Sequence, residues 1–129
     1  AYLTKDDLIN GRRWPDAVVK AARFSMDIHN PAGSGQAEGK TTGIQGRSVK
    51  VKPYDIPYGC LVPRKVDGLL MAGRCISGSH EALASYRVQC IALATGAAAG
   101  AAAAIAAKKN LQPRNVDAAE VQKILGIKI

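Results

Sequence analysis

Residues 90–107 carry no charged side chain, and alanine and glycine supply most of them. Alanine is the best helix former, so a run this rich in it reads as one long helix. The length alone would also suit a membrane span. Insertion is driven by leucine and isoleucine, however, and only Ile91, Leu93 and Ile105 stand in the run. The segment therefore reads as the core helix of a soluble fold, with no membrane span. Gly96 and Gly100 make a small face that would let the helix approach a sheet closely. Lys108 and Lys109 follow it, which suits the negative end of a helix dipole.

The start of this helix is expected near Ser85. That would put Arg87 in the first turn, where the dipole disfavours a cation unless an anion lies against the helix end. An ordinary ion pair, for instance with Glu81, satisfies the spacing equally well and is favoured on spacing alone.

The rest of the chain divides into shorter pieces. "LTKDDLIN" reads as a helix, with Thr4 as cap, Asp7 at the third helical position and Gly11 as stop. Pro15 can open a second short helix through "DAVVKAA". "RFSMDIH" and "VKVKPYDIP" alternate and read as extended, the latter stopped by Pro53 and Pro57. "DGLLMAG" reads as a strand ending at glycine. After "NLQP", Asp117 and Glu120 form a capping pair for a last helix with Val121, Ile124 and Leu125 on one face.

Residues 30–48 are rich in Gly, Ser and Thr and read as a mobile loop. Within them "GSGQAEGKTT" looks like a phosphate-binding loop, but Ser34 stands where the first glycine belongs. Turn residues precede it and "TGIQG" follows, so neither the strand nor the helix that such a loop needs is present. GxGxxG fails too, because Gly39 comes one residue late.

The formal net charge of +8 permits binding to nucleic acid. The cations are scattered, though, and no recognition helix, zinc finger or aromatic platform accompanies them. A small basic nucleic-acid-binding or self-associating module is the alternative reading on composition. Cys60, Cys75 and Cys90 have no metal-ligand spacing. Three free thiols point to a reducing, cytoplasmic setting, while export of a longer parent protein stays open. His29 and His80 are candidates for substrate or cofactor contact, though a lone histidine is more often a structural hydrogen-bonder.

The ordered motifs "YDIPYGCLVPRKVDGLLMAGRCIS", "SHEALASYRVQ" and "ATGAAAGAAAAIA" resemble the C-terminal part of the FAD-dependent oxidoreductase family. "LTKDDLINGRRWPDAVVKAARFSMDIHNP" is similar to the preceding segment, more loosely. The resemblance implies a two-part dinucleotide-binding flavoprotein whose N-terminal GxGxxG turn holds the FAD pyrophosphate. That turn has no counterpart here. The fold class expected is α/β or α+β: an incomplete C-terminal portion of an FAD domain, with short strands, the long Ala/Gly-rich helix and a C-terminal helix. Residues 1–53 would be the tail of a substrate-type region and 54–129 the FAD-binding segment. Ala72, Gly73 and Arg74 would lie at the end of a returning strand near the ribityl and phosphate portion. Arg87 and Val88 would meet the pyrimidine edge, where helix N–H groups and a cation tune the redox potential. The implied partners are the N-terminal part of the same parent protein and a small-molecule substrate. Alone, the chain would not retain FAD and would self-associate.

Overall fold

A computed structural model describes residues 1–28 and 49–128. Among these lie four α-helices and a two-stranded antiparallel sheet, in the order α1 (Lys5–Asn10), β1 (Ala17–Ala22), β2 (Tyr54–Pro57), α2 (His80–Tyr86), α3 (Gln89–Lys109) and α4 (Ala118–Ile124). This is the mixed α/β class that the sequence implies. The expected loop at 30–48, the phosphate-loop look-alike and His29 all lie outside the described residues.

The N-terminal helix forms as its sequence dictates. The Thr4 hydroxyl accepts from the Asp7 N–H, and the Asp7 carboxylate accepts from the Thr4 N–H at 2.9 Å. Gly11 then ends the helix in a left-handed conformation. Burial alone would raise the Asp7 pKa, but hydrogen bonds from Arg12 and Thr4 outweigh it and hold the carboxyl below its ordinary value. Thr4→Ala removes one side of this reciprocal cap. We expect a loss of about 0.5–2 kcal/mol, read as a lower urea midpoint. An unchanged midpoint would mean that the cap contributes nothing to stability.

Residues 17–22 correct the first expectation. They form β1, not a helix opened by Pro15. The buried Gln122 side chain donates to the carbonyls of Pro15 and Ala17, at 2.9 and 3.0 Å. The buried Asp55 carboxylate accepts from the Ala21 N–H at 3.0 Å. These are the groups an α-helix would use for its own ladder. Tertiary partners take them instead, and propensity loses. β1 pairs with β2 through Ala17↔Pro57, Val19↔Ile56 and Ala22↔Tyr54, with a register slip between each pair. Ala21 sits at φ +54, a left-handed conformation that L-residues rarely adopt.

The second correction is at residues 67–72, which form no strand. The Met71 N–H donates to the carbonyl of Leu61, the cap of the preceding turn, at 2.8 Å. Leu69 remains exposed. Ala72 is extended, and Gly73 opens a short 3-10 turn, Gly73–Cys75. Another 3-10 turn, Tyr58–Cys60, follows β2.

The third correction concerns the long helix. It begins at Gln89, not near Ser85, because Val88 is extended (φ −72°, ψ 151°) and separates it from α2. On α3, Ile91, Thr95, Ala98, Ala102, Ile105 and Ala106 are buried. Gly96 and Gly100 are exposed, and a Cβ built on either would meet nothing within 4 Å. They therefore do not pack the helix under the sheet. α3 is also long and apolar enough to cross a membrane by length and composition, with 33% of that window buried in the fold.

Asp117 caps α4 through the Ala119 N–H at 2.9 Å. Glu120, expected as the other half of the capping pair, is ion-paired with Lys109. Val121 and Gln122 are the residues α4 buries, while Ile124 is 61% exposed. The core joins Leu3, Leu8, Met26, Tyr54, Ile56, Leu61, Tyr86 and Val121, from both ends of the chain. Leu3 lies beside Gly78, donating to Ser77 and accepting from Ser79.

Candidate functional site: the junction of the two C-terminal helices

Two helices meet at residues 87 and 88. α2 starts at Ser79, whose hydroxyl accepts from the Ala82 N–H, and ends at Arg87, whose N–H donates to Leu83. Val88 is the N-cap of α3 and offers no side-chain hydrogen bond. No acidic residue stands in the first turn of α3. The positive end of a 21-residue helix is thus left without a compensating side chain.

Arg87 is not in the first turn of α3, as the sequence led us to expect, but at the C-terminal end of α2. A cation is favoured there, so the expected conflict with a helix dipole does not arise. Its guanidinium donates to the Asp27 carbonyl at 3.1 Å and lies 3.5 Å from the Asp27 carboxylate. The ion pair foreseen for Arg87 exists, but with Asp27 rather than Glu81. Asp27, Ile28, His80, Leu83, Ala84 and Arg87 line a cleft of about 220 Å³. His80 is exposed at its rim and is the first residue of α2.

The 72–74 segment comes to the same helix from the other side. The Gly73 N–H donates to the Thr95 hydroxyl at 2.9 Å, and that hydroxyl donates to the Ala92 carbonyl. Gly73 has φ +59, the conformation that favours glycine. A Cβ there would lie 3.6 Å from that of Ala92, an ordinary contact, so backbone conformation and not space requires the glycine. Arg74 is exposed and Ala72 half-buried. Of the five residues singled out from the sequence, Gly73 and Val88 are thus brought to the first two turns of one helix. Arg87 is adjacent in the chain, and Arg74 is left in solvent.

Thr95 was not legible as a site residue. It is fully buried and bridges Gly73 to α3, yet nothing in "ALATGA" marks it apart from being the one hydroxyl in the helix. Next to this junction Gln89, Ala92, Leu93, Gly96 and Ala97 line an open cleft of about 780 Å³. The cysteines are all free, Cys75 and Cys90 exposed and Cys60 buried. Burial pushes the Cys60 thiol up to about 11. Among the described residues no group of three His, Cys, Asp or Glu could hold a metal ion.

An uncapped helix end beside a left-handed glycine is an arrangement used to hold phosphate and electron-rich groups. The family model described as FAD dependent oxidoreductase matches residues 1–125. The chain belongs to that family, whose members are flavin-linked oxidoreductases. No curated protein and no solved structure matches it.

Proposed function

We propose that this chain is the C-terminal FAD-binding segment of a flavin-dependent oxidoreductase and completes the flavin site with the start of α3. The observation that carries the reading is the uncapped α3 N-terminus packed beside Gly73. The residues present fit the group. The first-turn N–H groups can donate to its electron-rich edge, and no carboxylate in that turn opposes an anion. Ala72, Gly73, Arg74, Arg87 and Val88 would hold the cofactor. When bound, FAD supplies the electron transfer. Gly73 allows close backbone approach, Arg74 is free to reach a phosphate, and Arg87 contributes positive charge reduced by its partner Asp27.

The domain reading goes with this: 54–129 is the flavin segment and 1–53 the tail of a substrate-type region. The partners are the N-terminal part of the same parent protein, which would bring the glycine-rich turn, and a small-molecule substrate. Nucleic acid is not among them. We read α3 as a core helix and not a span, and the protein as cytoplasmic. The exposed α3 stripe of Leu93, Gly96, Ala97 and Gly100 would be covered in the parent and drives self-association of the chain alone.

FAD titration followed by backbone amide shifts tests the site. Shifts should concentrate at Gly73, Arg74 and residues 88–92, with affinity too weak to survive gel filtration. The eluted chain should be colourless and run larger than 13.5 kDa. Shifts confined to other residues, or a yellow monomer, would overturn the reading.

A further inference from the structure

Thr95 is the one hydroxyl-bearing residue of α3, and it is fully buried. Its hydroxyl donates to the Ala92 carbonyl and accepts from the Gly73 N–H, both at 2.9 Å. The helix itself gains little from this residue. A side-chain bond to a carbonyl three residues back competes with the backbone ladder. A β-branched residue is also a weaker helix former than the alanines around it. What the bond to Ala92 does is fix the rotation of the hydroxyl. With its single proton turned to Ala92, its lone pairs are left for an incoming N–H, and that N–H is the one of Gly73.

Gly73 needs such a partner. Glycine has the widest conformational freedom of any residue, so a glycine held at φ +59 has to be anchored from outside. Packing alone does not anchor it, since even an added Cβ would stand 3.6 Å from the Ala92 Cβ. The bond from the Cys75 N–H to the Ala72 carbonyl, at 3.2 Å, is internal to the turn and does not reach α3. The bond to Thr95 does. Because the Gly73 N–H is engaged there, it is not offered to a ligand. The N–H groups left for one are those of Gln89, Cys90 and Ile91, since the Ala92 N–H already donates to Val88. Thr95 therefore sets how far the glycine turn stands from those three amides.

We propose that Thr95 is a positioning residue of the flavin site. Buried, it does not touch the cofactor. Through Gly73 it holds residues 72–74 at a fixed separation from the α3 N-terminus, so that both sides of the site are in place before FAD arrives. Such pre-organisation raises affinity by removing the ordering of the turn from the binding step. The inference rests on the flavin reading above and adds to it a residue that acts from inside the helix.

Thr95→Val keeps nearly the same shape and loses the hydroxyl, whereas Thr95→Ser keeps the hydroxyl and loses the methyl. FAD is titrated into the wild-type chain and both variants, with amide shifts as the readout, at a temperature where all three are folded. Thr95→Val should bind FAD about tenfold more weakly, and its Gly73 amide should exchange with solvent about tenfold faster or more. Thr95→Ser should restore both. A lower melting temperature in Thr95→Val with unchanged FAD affinity makes the residue structural only and overturns the proposal. So does a Thr95→Ser variant as weak as Thr95→Val. Should Thr95→Val not fold, the wild type still decides, because a Gly73 amide that exchanges at the rate of an unprotected one overturns the proposal. Wild-type shifts that miss residues 88–92 altogether overturn the flavin reading and this inference with it. Wild-type shifts at those residues with equal affinity in Thr95→Val remove only the role of Thr95.

Discussion

Gly11→Val should lower the melting temperature by roughly 10 °C or more. Two independent costs meet at this position. Gly11 closes α1 at φ +67, where an L-residue pays about 1–2 kcal/mol and a β-branched one more. Its Cβ would also lie 2.8 Å from the Lys52 Cβ and 2.9 Å from the Pro53 carbonyl oxygen. The carbonyl is backbone and cannot swing aside, which adds about 1–3 kcal/mol of overpacking. Gly68→Val is the comparison that separates the two. Gly68 has a similar φ of +72 but open space around it, so only the conformational cost applies. Equal melting shifts for the two variants would mean that the close approach of residues 52–53 contributes nothing.

Raising the pH above 9 should progressively destabilise the protein through its buried thiol and its buried tyrosines. Burial raises Tyr54 and Tyr86 from 10.0 to about 12, and Cys60 from 9.0 to about 11. Below pH 9 all three are protonated in both the folded and the unfolded chain, and they make no difference to stability. Between 9.0 and 11 for the thiol, and between 10.0 and 12 for the phenols, the unfolded chain releases protons that the folded chain keeps. Stability is therefore lost as pH rises through that window, on the order of 2–3 kcal/mol for each group. The structural reason is plainest at Tyr54. Its ring is fully buried, so water cannot solvate the phenolate, and the hydrogen bond with Ser85 offsets only part of that cost. Urea midpoints measured across the range should fall steeply, and in a Tyr2→Phe background, which removes the exposed ring, tyrosinate absorbance should appear together with loss of far-ultraviolet dichroism. In that background, tyrosinate forming near pH 10 with the dichroism intact would show that the buried rings are reached by solvent.

What the sequence made legible was local. Thr4, Asp7 and Gly11 specify α1 because each bonds within the same helix. The Ala/Gly run specifies α3 for the same reason. What it hid depends on distant partners. β1 reads as a helix until Gln122, from the far end of the chain, takes its carbonyls. The end of α2 and start of α3 carry no proline or glycine, and the break at Val88 rests on backbone geometry alone. "DGLLMAG" has strand composition but no strand beside it among the described residues. The candidate site was legible only in part. Gly73 and Val88 belong to recognisable motifs. Thr95, which ties Gly73 to the helix, and Asp27, which pairs with Arg87, have no such mark.

The slipped register of β1 has a bearing on how the protein behaves when concentrated. Each strand of a two-stranded sheet keeps one edge without a strand partner, and such edges can template the addition of foreign strands. Here β1 is interrupted twice, turns left-handed at Ala21 and exposes Lys20, while β2 is four residues long and ends at Pro57. None of these offers a flat, continuous row of N–H and C=O groups. Edge-to-edge addition of strands to the folded chain is therefore disfavoured at this sheet.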